Sequence, residues 1–246
     1  ALAGWPVKVA IGGSYRVLAT PAVGDIDGDS QPEVVIALAD GKLYALSAAG
    51  ARKPGWPASL GDNADQYESQ IINSSPVLAD LDGDGAREIV VGSTDKRVYV
   101  FDGSGAPRWT HLTGDMILGT PAVADIDAQR PGLEIAIGSG DSYATLLSST
   151  GQRIWRRRTG WTVRSSAKLA DLDGDGAPEV LLGSDDNKLY AWHADGSAVA
   201  GWPQATGAPI FSAPAFGDVD GDGQRDVVVG SDDGHVYAWH ADGTPL

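Results

Sequence analysis

Five short stretches of the sequence place carboxylates at alternate positions, a spacing that suits metal chemistry. They read DIDGDSQPE (25–33), DLDGDGARE (80–88), DIDAQRPGLE (125–134), DLDGDGAPE (171–179) and DVDGDGQRD (218–226). The acids of the complete loops are Asp25, Asp27, Asp29 and Glu33; Asp80, Asp82, Asp84 and Glu88; Asp171, Asp173, Asp175 and Glu179; and Asp218, Asp220, Asp222 and Asp226. Carboxylates spaced this way among glycines let a tight loop turn several oxygens inward. A hard cation taking about six to eight oxygen ligands requires that arrangement, and calcium fits it better than magnesium. The closing acid stands at position nine and strands are expected on both sides, so this is not the helix-flanked, twelve-residue EF-hand loop. A turn of Asp and Gly needs no metal, but five such loops at one place in five repeats argue for an ion. Four calcium ions are expected.

The third loop departs from the pattern. It carries Asp125, Asp127 and Glu134, is one residue longer, and has Ala128-Gln129 where Gly-Asp stands elsewhere. Arg130 could supply positive charge there in place of an ion, and a fifth calcium at 125–134 stays open.

The elements that position these loops repeat with them. The first acids, Asp25, Asp80, Asp125, Asp171 and Asp218, are spaced near 45 to 55 residues apart, a period that marks propeller blades. Within the second repeat, PVLAD, EIVVGS, RVYVFD and a segment around Trp109 alternate as four strands. Asp40-Gly41 and Asp233-Gly234 read as two-residue hairpin turns between second and third strands. The opening ALAGWPV matches the fourth-strand text PGWPASL (54–60) and AGWPQAT (200–206). The expected fold is therefore all-β: a five-bladed β-propeller of four-stranded antiparallel blades, its ring closed by the N-terminal strand completing the last blade. Residues 1–246 form one domain in this reading, with repeats near 20–60, 75–112, 120–158, 166–206, and 213–246 plus 1–9.

Composition agrees with a soluble, turn-rich globular chain. Of 246 residues 33 are Gly and 14 Pro, and the formal charge is −15. The loops hold 19 of the 33 acids, so the remaining 14 face 18 Lys and Arg and the acidity belongs to the loops. Net negative charge argues against nucleic acid as a partner. No apolar run approaches a membrane span, and no signal peptide is legible. The absence of Cys excludes disulfides, thiolate metal sites and a cysteine nucleophile.

The loops DIDGDSQPE, DLDGDGARE, DLDGDGAPE and DVDGDGQRD, each preceded by a small-Pro or small-small pair and followed by a VVxG-like strand, resemble the FG-GAP or VCBS repeat, found also in the integrin α-subunit propeller. The resemblance covers essentially the whole chain. It implies calcium between the first two strands of a blade, a secreted or cell-surface setting, and a protein or glycan ligand on the opposite face. It also leaves open an accessory or catalytic domain of a polysaccharide-degrading enzyme, lyase-like, or a structural module of a larger surface protein. Integrins have seven blades against the five expected here, so their partner interfaces do not transfer. The expected state is a monomeric domain of a larger protein, without membrane insertion.

Residues that recur blade after blade read as architecture. Trp5, Trp56, Trp109, Trp155 and Trp202 fill one column suited to packing between blades, and Trp192, Trp239, His193 and His240 are read the same way. The arginine run 156–158 reads as a solvated strand edge. Residues that do not recur are better ligand candidates: Tyr15, Arg16, Tyr67, Asn73, Trp161 and Arg164 lie on connections at the face away from the acidic loops, one of them the long connection 61–74. No Ser, His and Asp set announces an active site, and the chain is expected not to be an enzyme.

Overall fold

The computed structural model describes residues 4–9, 17–60 and 73–246. The chain divides into two compact units, Ala1–Thr120 and Pro121–Leu246.

The first unit holds two four-stranded antiparallel sheets in simple sequential order. One is β1 (Ala22–Gly24), β2 (Glu33–Ala37), β3 (Lys42–Leu46) and β4 (Ala58–Ser59); the other is β5 (Val77–Ala79), β6 (Glu88–Gly92), β7 (Arg97–Phe101) and β8 (Pro107–Leu112). The second unit holds β9 (Ala122–Ala124), β10 (Glu134–Ser139), β11 (Tyr143–Leu147) and β12 (Arg153–Arg158), then β13 (Lys168–Ala170), β14 (Glu179–Ser184), β15 (Lys188–Trp192) and β16 (Gln204–Ala205), and a last sheet of β17 (Ala215–Gly217), β18 (Asp226–Gly230) and β19 (Val236–His240). Among the described residues the fold is all-β, with five propeller-like blades and no helix able to cross a membrane.

Four sheets have the four strands expected and the fifth has three. After β19 the backbone follows the course seen in the other repeats: Leu246 N–H bonds to the Ala238 carbonyl at 3.1 Å, as Val199 N–H bonds to that of Ala191 at 3.1 Å. Residues 4–9 form no strand.

The connection between second and third strands is longer than a two-residue turn. Leu38 N–H bonds to the Lys42 carbonyl, and Gly41 N–H to that of Leu38, so three residues form the loop and the last is left-handed. Gly41, Lys96, Ser142, Asn187 and Gly234 occupy that position with φ of 67° to 81°. A three-residue hairpin loop of this kind ends on a left-handed residue, which is why Asp-Gly appears there without being the whole turn.

The second strands β6, β10 and β14 are buried at every position, and sheets covered on both faces read as near-continuous apolar runs rather than alternation. The glycine near the end of this strand is required by a close approach. A Cβ at Gly138 would collide with Val163, and one at Gly183 with Ile210. Both contacted side chains come from the connection after the blade's fourth strand, so the glycine lets that connection cross directly over the sheet.

Tryptophans of the fourth-strand column tie consecutive repeats. Trp56 Nε1 donates to the Gly103 carbonyl at 3.1 Å, Trp155 to Ala194 at 2.8 Å, and Trp202 to Ala241 at 2.9 Å. Each indole is buried, with its one polar atom satisfied in the neighbouring blade's turn. Trp5 donates to Ala48 at 2.9 Å in the same manner.

Candidate metal centres and ligand face

Each acidic loop links the first strand of a blade to the second. Its first Asp organises the backbone: Asp80 accepts N–H groups of Gly83 at 2.7 Å, Asp84 at 3.1 Å and Gly85 at 2.9 Å. Asp25, Asp171 and Asp218 repeat the first and last of these bonds on the equivalent residues. Desolvation opposes charge on Asp25, but backbone donation from Ser30, Gly28 and Asp27 outweighs it and holds the carboxyl below its ordinary value. Gly83 and Gly85 have φ of 81° and 93°, left-handed turns that curl the loop around its own carboxylates.

The closing acid is the buried member. One oxygen reaches back to the residue after the first Asp: Glu33 to Ile26 N–H at 3.2 Å, Glu88 to Leu81 at 2.8 Å, Glu179 to Leu172 at 2.7 Å, and Asp226 to Val219 at 2.8 Å. The other oxygen meets a basic side chain that the loop sequences alone do not reveal. Lys53 Nζ lies 3.1 Å from Glu33 and 2.5 Å from Asp27; Arg108 lies 2.6 Å from Glu88 and 2.7 Å from Asp82. In the second unit the partner is an imidazole: His193 Nδ1 is 3.1 Å from Glu179, and His240 Nδ1 is 3.1 Å from Asp226. The hydrogen bond to Asp27 raises the Lys53 pKa against burial, and Glu33 adds to it. Burial pushes Glu88 and Glu179 up, with Arg108 and His193 opposing.

The third loop lacks this partner. Arg130 Nε pairs instead with Asp127 at 2.9 Å, and Glu134, wholly buried, bonds to Ile126 and Asp127 N–H through one oxygen while Oε1 has no partner. Burial raises its pKa. Columns of the repeat explain the exception: Ser148 and Ile154 stand where the other blades offer His193 or His240, Lys53 or Arg108.

The sets suit a hard cation. Oxygens of Asp25, Asp27 and Asp29 lie within 4.8 Å of one another, as do those of Asp80, Asp82 and Glu88, and of Asp171, Asp173 and Asp175. These are anionic oxygen donors, the ligand type calcium prefers.

Of the ligand-face candidates, Tyr15, Arg16 and Tyr67 lie outside the described residues, and Asn73 is half-buried in the first unit. In the second unit Trp161 is 64% exposed. Arg164 pairs with Asp185 at 3.0 Å and its guanidinium lies 5.4 Å from the centre of the Phe211 ring. Asp185 is half-buried as a residue, with its side chain 7% exposed, and its second oxygen, Oδ1, has no partner. Its backbone N–H bonds to the Thr162 carbonyl, which ties it to the turn carrying Trp161. The arginine run lies on the edge strand β12 with Arg158 exposed, but its other two members are tied down: Arg156 pairs with Asp141 at 2.6 Å, and Arg157 donates to the Gly196 carbonyl of the next repeat at 2.5 Å.

The family likeness read from the loops is also found by comparison. Residues 171–229 match the FG-GAP-like repeat. That stretch runs from the fourth acidic loop into β18, and the loops at 25–33 and 80–88 share its hydrogen bonding. The fold as a whole is similar to the V. cholerae biofilm matrix protein Bap1 (TM-score 0.69, 21% identity, covering 93% of this chain and 38% of that one). It is also similar to BamB from Moraxella catarrhalis (TM-score 0.60, 17% identity, 92% and 59%) and to BBS1N in its complex with ARL6DN (TM-score 0.59, 12% identity, 89% and 59%). The chain thus spans less than two thirds of each of these structures. No curated protein matches it in sequence.

Proposed function

We propose that the chain is an extracellular, calcium-stabilised propeller that acts as a binding scaffold rather than an enzyme, presenting a surface for a protein or glycan on the face away from the acidic loops. The observation carrying the metal reading is the repeated FG-GAP-like loop whose carboxylate oxygens converge within 4.8 Å. Calcium would be held by the Asp residues of a loop together with its closing acid, as the convergence of Asp80, Asp82 and Glu88 supports, and would offset repulsion among carboxylates in each loop. In the range of extracellular sites, free ion at ten times Kd stabilises by about 1.4 kcal/mol per site. Ring closure belongs to the same reading: Trp5 bonds to Ala48 as Trp56, Trp155 and Trp202 bond to the turn of the following repeat, the contact expected of a fourth-strand tryptophan. On the opposite face, Trp161, Arg164 and Phe211 offer rings and a guanidinium for stacking, and Asp185 an acceptor.

Thermal unfolding in calcium and in excess chelator, with bound ions counted by native mass spectrometry, tests the metal reading. Bound calcium and a large fall in Tm on chelation are expected. No bound ion with an unchanged Tm would overturn it and remove the support for an extracellular setting. For the ligand face, Trp161→Ala should abolish binding on a glycan or peptide array at unchanged Tm; unchanged binding would remove the patch.

A further inference from the structure

The basic partner of the closing acid differs in kind between loops. Lys53 and Arg108 are permanently charged and have no lone pair to give a metal. His193 and His240 are different, because a neutral imidazole is a nitrogen ligand. The structure brings one ligand atom each of Asp173, Glu179 and His193 within 4.8 Å of one another, and does the same for Asp220, Asp222 and His240. Two repeats therefore carry mixed nitrogen and oxygen donor sets, the first of which shares Asp173 with the all-oxygen set Asp171, Asp173 and Asp175.

A second feature accompanies them. His193 and His240 line the same cavity of about 420 Å³, together with Asp173 and Asp222 and an apolar wall that includes Leu172 and Val199. Val199 stands in the column that holds Lys53 and Arg108 elsewhere, so the exchange of a long cation for a short apolar residue helps leave this space open. The two imidazoles are half-buried and Asp173, Asp220 and Asp222 exposed, leaving room for water to complete a coordination shell.

Donor type separates ions that charge does not. Calcium takes oxygen, whereas imidazole with carboxylate suits zinc, copper and nickel. We infer that the fourth and fifth blades hold two sites for a borderline divalent ion of the zinc class, Asp173–Glu179–His193 and Asp220–Asp222–His240, opening on one cavity. The inference rests on the loop carboxylates named above but not on their binding calcium.

The test is titration of metal-free protein with zinc by calorimetry and native mass spectrometry, repeated with calcium. Wild type should take up two zinc ions. His193→Ala and His240→Ala should each remove one, and the double variant should lose both or bind them at least about tenfold more weakly. If a variant fails to fold, zinc-induced shifts of the two imidazole resonances in wild type decide the matter. No zinc uptake, uptake unaltered in the double variant, or unmoved imidazole signals would overturn the inference. Zinc without calcium would sink the calcium reading alone; calcium without zinc would sink this one alone.

Discussion

The loops at 25–33 and 80–88 and those at 171–179 and 218–226 share one backbone design and differ in what stands behind it. In the first pair a lysine or arginine from the start of the fourth-strand segment reaches the second and closing acids; in the second pair a histidine at the end of the third strand reaches the closing acid. The columns alternate: Ser47 with Lys53, Asp102 with Arg108, His193 with Val199, His240 with Leu246. A buried closing carboxylate needs a partner, and the repeat supplies it from either of two columns. The lesson is that a repeat can keep an electrostatic requirement while changing the residue that meets it.

Removing the partner should therefore hurt the two pairs unequally. Lys53→Met leaves Glu33, nearly inaccessible, and Asp27 without their counter-charge. The loss should be about 2–3 kcal/mol in chelator, toward the lower end of what breaking a buried ion pair costs because Asp27 is partly exposed. It should appear as a lowered denaturant midpoint at unchanged slope, with calcium recovering part of it. His193→Leu removes a hydrogen bond to Glu179 that needs no formal charge, and should cost about 1 kcal/mol. Equal losses in the two variants would erase the distinction between the loops.

The same contrast marks what was legible in the sequence. The acidic loops and the strands of the second repeat were readable because each is local: DLDGDGARE and the run EIVVGS declare themselves within nine residues. The partners were not. Lys53 lies 20 residues from Glu33 and His193 14 from Glu179, and no single column is basic throughout, so His193 and His240 read as mere architecture. Comparing two columns at once, and noting that the third blade has Ser148 and Ile154 in them, was the available signal. The three-residue hairpin loop was missed because its left-handed position accepts Lys96, Ser142 and Asn187 as well as glycine, hiding the common geometry. The pairing of Arg156 with Asp141 was missed because it requires the register of β11 against β12, which charge runs do not encode.

The smallest expected effect lies where the units differ away from the loops. The first residue of the hairpin loop after the second strand is Ala39 or Thr94 in the first unit and Gly140, Asp185 or Asp232 in the second. The largely covered Asp185 carboxyl has one oxygen unpartnered, and desolvation raises its pKa above the ordinary 3.8 despite Arg164. The folded state therefore holds this proton to higher pH than the unfolded chain does, so the charged form subtracts stability as pH rises past 3.8, fully so above the folded value. Asp185→Asn keeps an acceptor for Arg164 and removes the charge. It should gain about 0.5–1 kcal/mol at pH 7, shrinking toward nothing near pH 3, where both states of the wild type are protonated. If Tm at neutral pH falls instead, the Arg164 pair outweighs the burial of the carboxylate, and Asp185 contributes to stability in the second unit rather than being held there at a cost.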